Sequence, residues 1–365
     1  MDISSVLERL CLAPAPTGYE KEVASVFKNE IERYTDRVKV DRLGNTIATL
    51  DGSDDSAPVV MVFAHLDTLG FMVRRIEPDG FIQIDRVGGI PEKVLPALRI
   101  SIRNCDGEFL PGIIGNKAHH ASSADDKSRV DAVTSLFVDV GAKSEKEVEG
   151  MGIKIGCPAI YRPHYERWAN NLVSGTALDN RGGVAAMVLA AKLLSEKHPA
   201  STTHFVGSVF EEFNIRGAVT ASRLLKPDIA ICLDVILAGD TPEMKGRYNN
   251  KLGAGPAMNL YTFHGRGTLN GTLPHEGLIK LMERSAEEDG IPLQRFASLG
   301  MLTDSAYVQV TGQGVACLDL GFPTRYTHSP VEVSSLDDIE NLGRLVASGV
   351  SRIDSSFECG RFILD

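Results

Sequence analysis

Two adjacent carboxylates, Glu211 and Glu212, are the residues of this chain best placed to do chemistry. They follow an apolar run from Phe205 to Phe210, which predicts a buried strand, and a glycine and a helical pattern come after them. In an open α/β sheet, ligands bind outside the carboxyl ends of the strands. Because neighbouring residues of a strand point in opposite directions, one carboxylate can bind a metal ion while the other reaches water. An isolated Glu-Glu pair is more often a solvated strand end, so the rest of the chain must decide.

Further candidate metal ligands stand at the ends of other apolar runs. Residues 59–63 form a continuous apolar run, which is typical of a strand buried on both faces. In a doubly wound sheet such strand ends lie along one edge, so residues far apart in sequence can converge there. The candidates are His65 and Asp67 after residues 59–63, Asp179 after residues 172–175, Asp234 after residues 229–233, and His328 in a loop after residues 315–320.

Imidazoles and carboxylates without cysteine suit Zn, Co or Mn, and aminopeptidases commonly hold two such ions about 3.5–4 Å apart. One carboxylate must bridge the ions, and two histidines and two further carboxylates complete their coordination. Each ion lowers the pKa of bound water, so hydroxide is available near neutral pH. The spare glutamate then acts as a base toward that water and later as an acid toward the leaving amine. Asp67, two residues beyond His65, is placed to orient the imidazole.

Each candidate taken alone is a weak indication of a metal site. A lone histidine is more often a satisfied loop or core residue, and Asp179 also stands where a cap for the following helix would be. His119 and His120 lie in a segment, residues 116–130, that we interpret as an exposed loop, although it could border the site. We assign these two histidines no role.

The segments between the candidates indicate an α/β protein with an insertion. Near the amino terminus, Thr17 and Glu20 have the spacing of a capping box before an amphipathic helix. From residue 70 to about residue 158, glycines and β-branched residues recur and long helical periodicity is scarce. This composition predicts a small β-rich insert with turns at short intervals. Helical and α/β character returns near residue 160.

Length and composition exclude several classes of protein. A chain of 365 residues suggests two domains, and a net charge of −10 argues against a nucleic-acid partner or a basic membrane surface. The six cysteines are scattered, which fits reduced thiols in a cytoplasmic protein. No apolar run is long enough to cross a bilayer, and the first residues lack the pattern of a signal peptide. We therefore expect a cytoplasmic protein without a membrane or nucleic-acid partner.

Five ordered motifs resemble those of metallopeptidase family 42, the tetrahedral or glutamyl-type aminopeptidases. They span nearly the whole chain: residues 64–73, residues 177–181, Glu211-Glu212 with residues 216–218, Leu233-Asp234, and residues 325–330. The chain departs from the family pattern at Asn180, where members commonly carry Asp, and at Phe213-Asn214, where they carry Val-Gly. No proposed ligand is missing.

The resemblance implies a zinc-peptidase-like α/β fold, in which helices flank a mixed sheet. Residues 1–69 and 160–365 would form a discontinuous catalytic domain. Residues 70–159 would form an inserted, barrel-like β-rich domain that serves assembly or substrate access. The resemblance also implies a homo-oligomer, with dimers building to dodecamers that enclose the active sites.

The resemblance further implies two divalent ions per subunit, zinc ahead of cobalt or manganese. Asp179 would bridge the two ions. His65 and Asp234 would complete one ion, and Glu212 and His328 would complete the other. Glu211 would be the general acid/base, and Asp67 would support His65.

These observations favour a dinuclear metal aminopeptidase that removes N-terminal residues from short peptides. One alternative is a related metal-dependent amidohydrolase or deacylase of a small N-acylated molecule, and the long gap between His65 and Asp179 argues against it. A sugar hydrolase would need two carboxylates flanking the bond and no metal, so the two histidines count against that activity. A non-catalytic peptidase-like scaffold should have lost ligands, and all of them are present.

Overall fold

The computed structural model describes residues 1–264 and 271–362. Within this part, the helices are α1 (Ile3–Leu12), α2 (Lys21–Ile31), α3 (Glu145–Gly150), α4 (Leu178–Lys197), α5 (Gly217–Leu225), α6 (Glu276–Glu288), α7 (Ser305–Val308) and α8 (Leu336–Val350). The strands are β1 (Val38–Val40), β2 (Thr46–Leu50), β3 (Val60–His65), β4 (Gly70–Ile76), β5 (Ile82–Val87), β6 (Arg99–Arg103), β7 (Phe109–Ile114), β8 (Phe137–Asp139), β9 (Pro158–Tyr161), β10 (Tyr165–Arg167), β11 (Leu172–Gly175), β12 (Thr203–Ser208), β13 (Ile229–Leu237), β14 (Ala257–Phe263), β15 (Gly271–Thr272), β16 (Gln294–Leu299), β17 (Ala316–Arg325) and β18 (Glu332–Ser335). Among these helices, none has both the length and the apolar character that a bilayer crossing requires.

A mixed sheet of twelve strands forms the main body of the described chain. Its main strand order is β1-β2-β12-β3-β13-β17-β18-β11-β10. Off this path, β14 pairs with β17, and β15 and β16 pair with β14. The central strands β12, β3, β13 and β17 run parallel to one another. Every residue of β3 is buried, which explains its continuous apolar sequence. The carboxyl ends of these parallel strands therefore share one edge of the sheet.

Helices cover both faces of this sheet. On one face, α4 packs against β3, β13 and α8, and α1 and α2 pack against α4. On the other face, α5 contacts β3 and β12, and α7 contacts β13 and β17. The predicted α/β fold, a mixed sheet flanked by helices, is confirmed.

The β-rich segment closes into a barrel with the strand order β4-β5-β8-β7-β6-β9. All of its strand pairs are antiparallel. The barrel has an apolar core of its own, in which Phe71, Ile84, Ile102 and Val138 are fully or almost fully buried. The predicted barrel-like character of this segment is confirmed.

Two local predictions are wrong, and in both cases tertiary contacts explain the difference. Thr17 does not cap α2, because its hydroxyl donates to the buried carboxylate of Asp67, with Oγ1 and Oδ2 2.8 Å apart. The strand predicted to end at Leu233 continues to Leu237, because β13 pairs with β17 along its whole length. Asp234 therefore lies inside a strand, three residues before its end.

Candidate metal centre

The carboxyl edge of the large sheet brings the predicted ligands together in one cleft of about 620 Å³. The predicted residues that line it are His65 at the end of β3, Asp179 at the start of α4, Glu211 and Glu212 after β12, Asp234 in β13, and His328 after β17. Asp67 is fully buried beside these residues. The sequence separations are long, so the sheet topology alone creates this cluster.

One group of possible ligands consists of His65, Asp179 and Asp234. The His65 Nε2 atom lies 3.0 Å from Asp179 Oδ1 and 3.9 Å from Asp234 Oδ1. A zinc ion binds nitrogen and oxygen at roughly 2.0–2.2 Å, so it can span two donor atoms at these separations.

A second group consists of Asp179, Glu212 and His328. The His328 Nε2 atom lies 3.5 Å from Asp179 Oδ2, the carboxylate oxygen that does not face His65. The two oxygens of Asp179 therefore face two different histidines. This is the arrangement that a carboxylate needs in order to bridge two ions.

Main-chain carbonyl groups orient both histidines. The His65 Nδ1 atom lies 3.1 Å from the carbonyl oxygen of Asp67, and His328 Nδ1 lies 2.8 Å from the carbonyl oxygen of Gly89. A carbonyl oxygen can only accept, so each Nδ1 carries a proton in these contacts. Each Nε2 faces Asp179 and, when protonated, pairs with that carboxylate; loss of this proton frees the Nε2 lone pair for a metal ion. The carboxylate of Asp67 is farther from His65, at 3.7 Å from Nδ1.

The carboxylate of Asp67 instead holds the Glu-Glu segment. Its Oδ1 accepts from the main-chain N–H of Glu211 at 3.0 Å, and its Oδ2 accepts from that of Glu212 at 3.1 Å. The hydroxyl of Thr17 donates to the same Oδ2. Hydrogen bonds to an ionised acceptor are stronger than neutral ones, so this carboxylate fixes the path of the chain after β12.

The electrostatics of the cleft show an excess of buried negative charge. Burial raises the pKa of Glu211 well above its usual range and raises that of Glu212 to about 7. Burial, together with the charge of Asp179, also raises the pKa of Asp234 well above its usual range.

The pKa values of the two histidines and of Asp179 are shifted in the directions expected for ion pairs. Burial lowers the pKa of both histidines, but the hydrogen bond to Asp179 and the negative charges of the neighbouring carboxylates together outweigh it, so the pKa of His65 is raised and that of His328 reaches about 10. Burial raises the pKa of Asp179, but its hydrogen bonds with His328 and His65 lower it overall. The two imidazoles balance only part of the carboxylate charge.

The donor set fits a pair of divalent cations. Glu212 Oε1 is buried and has no hydrogen-bond partner among the described residues. Buried polar atoms are nearly always paired, so an unpaired carboxylate oxygen at this position is suited to a cation. Nitrogen and oxygen donors without cysteine match the preferences of zinc, cobalt or manganese.

The sequence reasoning missed Glu332, whose carboxylate accepts from the main-chain N–H groups of Asp179 and His328. Burial, followed by the charge of Asp179, raises the pKa of Glu332 to about 8. One signal pointed to it, because a glutamate within a strand-like run of Val and Ser residues needs a buried partner.

The sequence also did not reveal the structural roles of Arg181 and Asn180, both of which are buried. Arg181 donates to the carbonyl oxygens of Leu10 and Leu66, and so ties the chain after β3 to α1. Asn180 Oδ1 accepts from the N–H of Gly183 at 3.1 Å. Asp179 and Asn180 have non-helical backbone angles, so the regular turns of α4 begin after Asn180, which caps them. The alternative interpretation of Asp179 as the helix cap is wrong.

The two adjacent histidines of the barrel lie elsewhere. His119 and His120 are exposed in a single 3-10 turn, and neither lines the cleft. The expected exposed loop is therefore confirmed.

Comparison with known proteins points to one family. A family model described as M42 glutamyl aminopeptidase matches residues 44–345. The chain is 33% identical to lysyl aminopeptidase of Pyrococcus furiosus, over 93% of this chain and 94% of the relative.

Solved structures agree with that family model. Aminopeptidase APDkam598 from the archaeon Desulfurococcus kamchatkensis superposes with a TM-score of 0.91 and 31% identity, covering 97% of this chain and 96% of that chain. The TET1 peptidase of Pyrococcus horikoshii, described as able to assemble into a tetrahedron or a large octahedral shell, gives a TM-score of 0.82. Its identity is 26%, covering 96% of this chain and 99% of that chain.

Proposed function

The chain belongs to the M42 glutamyl aminopeptidase family, and from that membership we propose a dinuclear-metal aminopeptidase that removes N-terminal residues from short peptides. The chain is accordingly an enzyme, a hydrolase that acts on peptide bonds. The observation that carries the finer proposal is the position of Asp179, which faces one histidine with each oxygen. Asp179 belongs to two of the three groups of possible ligands, and the third consists of His65, Glu211 and Glu212.

We assign the ligands of the two ions accordingly. Asp179 would bridge them, His65 and Asp234 would complete one ion, and Glu212 and His328 would complete the other. Zinc is our first choice, with cobalt or manganese as alternatives, because the donors are nitrogen and oxygen.

Bound ions of this kind would polarise the scissile carbonyl and make a water molecule more acidic. Glu211 is our general base, and it accepts a proton from the attacking water as the carbon–oxygen bond forms. It then donates that proton to the amine nitrogen as the carbon–nitrogen bond breaks. Burial raises the pKa of Glu211, so this carboxyl can hold the proton between the two steps. Asp67 holds the main chain of Glu211 in place.

The walls of the cleft guide the choice of substrates. Apart from the proposed ligands, the lining includes the apolar side chains of Ile215, Val235, Leu237 and Met301. An apolar wall contributes more binding free energy to an apolar side chain than to a charged one, because burial of an unpaired charge costs free energy. We therefore expect leucine or methionine at the first position of the substrate to be cleaved faster than lysine or glutamate.

Three further proposals concern organisation. Residues 70–159 act as an inserted domain for assembly or substrate access, between parts of a catalytic domain formed by residues 1–69 and 160–365. The assembly is a homo-oligomer in which dimers build to a dodecamer, in line with the related TET1 peptidase, and a stable monomer in analytical ultracentrifugation would contradict it. The location is cytoplasmic, in line with six cysteines that are all free in the structure.

The test is a metal-reconstituted assay on aminoacyl p-nitroanilides and short peptides, with Glu211→Gln as the inactive variant. Glu340→Gln, the same change on an exposed face of α8, is the matched control. We expect release of the N-terminal residue that depends on metal, is lost in Glu211→Gln and is kept in Glu340→Gln. Both variants should retain two ions per chain. Two bound ions without cleavage of any peptide would favour a small-molecule amidohydrolase, and no bound ion would favour the scaffold.

A further inference from the structure

Glu332 joins two of the proposed ligands through their main chains. It is the first residue of β18, and only 2% of its surface is exposed. Its Oε2 accepts from the N–H of Asp179 at 3.0 Å, and its Oε1 accepts from the N–H of His328 at 2.8 Å. One carboxylate thus contacts the residue that would bridge both ions and the histidine that would complete the second ion.

Both segments that carry these ligands have unusual backbone conformations. His328 has φ of 67°, and Ala177, two residues before Asp179, has φ of 58°. Residues other than glycine rarely adopt this left-handed region, and they do so only where surrounding contacts hold them. The two N–H groups that point at Glu332 belong to these strained segments, so its carboxylate is the contact that can hold both.

The strand that carries Glu332 is paired on both sides. β18 pairs with β11, where Gly175 is the partner of Glu332, and its next two residues, Val333 and Ser334, pair with β17 on the other edge. Strands paired on both sides move little relative to their neighbours, so the carboxylate is a fixed reference point. The main chains of Asp179 and His328, whose side chains approach to 3.5 Å, are therefore both bonded to one carboxylate of β18.

We propose that Glu332 is a positioning residue that sets the spacing between Asp179 and His328, and thereby the affinity of the site that these two residues share with Glu212. The proposal rests on the ligand set proposed above. Distances from a metal ion to its ligands vary by only about 0.2 Å between sites. Mutation of a group that holds a ligand in place typically lowers the metal affinity by about 10–100-fold.

The decisive variant is Glu332→Gln, which keeps the shape of the side chain but replaces one acceptor oxygen with an amide that faces an N–H group. Cobalt(II) or zinc is titrated into metal-free protein in competition with a chromophoric chelator, and no substrate is present. We expect the ion held by Asp179, Glu212 and His328 to lose about 10–100-fold in affinity, with a changed cobalt absorption spectrum. Glu340→Gln is the matched control and should leave both affinities unchanged.

A second variant separates positioning from folding. Glu332→Asp keeps the charge but is too short to reach both N–H groups, so its metal affinity should lie between those of wild type and Glu332→Gln. Circular dichroism of the metal-free variants should show wild-type secondary structure. If Glu332→Gln does not fold, an affinity of Glu332→Asp equal to wild type overturns the proposal.

The outcomes also separate this inference from the proposed function. Wild-type affinity and spectrum in Glu332→Gln would overturn the inference and leave the peptidase intact. Two bound ions that depend on Glu332, in a protein that cleaves no peptide, would support the inference and overturn the proposed substrate. A wild-type chain that binds no ion would overturn both.

Discussion

Replacing Thr17 with valine should weaken the structure beneath the cleft by removing one hydrogen bond. The hydroxyl of Thr17 donates to Asp67 Oδ2 at 2.8 Å, and both residues are buried. Valine has nearly the same shape, so the main change is one lost donor to a buried carboxylate. Hydrogen bonds to charged groups stabilise proteins by about 1.5–3 kcal/mol.

That free energy corresponds to a measurable shift in the melting temperature. The entropy of unfolding is about 2.1 cal/mol/K per residue, or about 0.8 kcal/mol/K for this chain if it unfolds cooperatively. Thr17→Val should therefore lower the melting temperature by about 2–4 °C. Activity should fall less than tenfold, which corresponds to a change of about 1.4 kcal/mol in the activation free energy. The effect is small because Asp67 still accepts hydrogen bonds from the main-chain N–H groups of Glu211 and Glu212.

The chain offers a matched control in Thr46. This residue is also fully buried, but its hydroxyl has no hydrogen-bond partner among the described residues. Thr46→Val should therefore leave the melting temperature unchanged or raise it, and Thr17→Ser should recover part of the loss. Differential scanning calorimetry of the three variants tests the argument. Equal shifts for Thr17→Val and Thr46→Val would refute it.

Three further predictions concern the cleft, the metal and pH. Gly89→Ala should lower kcat/KM, because the added Cβ would lie 3.2 Å from His328 Nδ1 and displace the ring, whereas Gly150→Ala, with open space around it, should not. Removing metal with EDTA should lower the melting temperature, and restoring zinc should recover it, because the buried carboxylates then lose their counter-charge; a protein equally stable in EDTA would contradict the site. Burial, followed by the charges of Lys39 and Arg37, lowers the pKa of His204 to about 4. Between about pH 6.5 and 4 the unfolded chain therefore binds one proton more than the folded chain, and the free energy of unfolding decreases as the pH is lowered across that window. His204→Gln should lose less stability on acidification. The slope of its free energy of unfolding against pH, measured by urea denaturation, should be smaller than that of the wild type by up to one proton's worth, and an identical slope would contradict the assignment.

The strand ends were predictable because periodicity and topology act together. A continuous apolar run such as residues 59–63 reports burial on both faces, and parallel strands must deliver the residues after them to one edge. The positions of His65 and Asp179 agree with that rule, whereas Asp234 reaches the same edge from inside β13. The separations between individual donor atoms could not be predicted, because they depend on side-chain rotamers and on hydrogen bonds from distant segments.

The missed features share one physical cause. Glu332 acts on main-chain N–H groups that belong to other segments, and no local pattern records such partners. Thr17 matched a local capping pattern, but its hydroxyl donates a hydrogen bond to the carboxylate of Asp67 instead of capping the helix. The barrel was recognisable from its glycines and β-branched residues, whereas its strand order depends on pairings between residues far apart in sequence.

The loop after β5 gives the barrel a direct hold on the metal centre. The carbonyl oxygen of Gly89 accepts a hydrogen bond from His328 Nδ1. The Tyr161 hydroxyl, at the end of β9, donates to the His328 carbonyl oxygen at 3.3 Å. The barrel is therefore not a removable module. A shortened protein that joined residue 69 to residue 160 would be no minimal enzyme, because it would lack the acceptor that aligns its last histidine. Exchange of barrels between relatives should succeed only where this loop is exchanged together with the segment that carries His328.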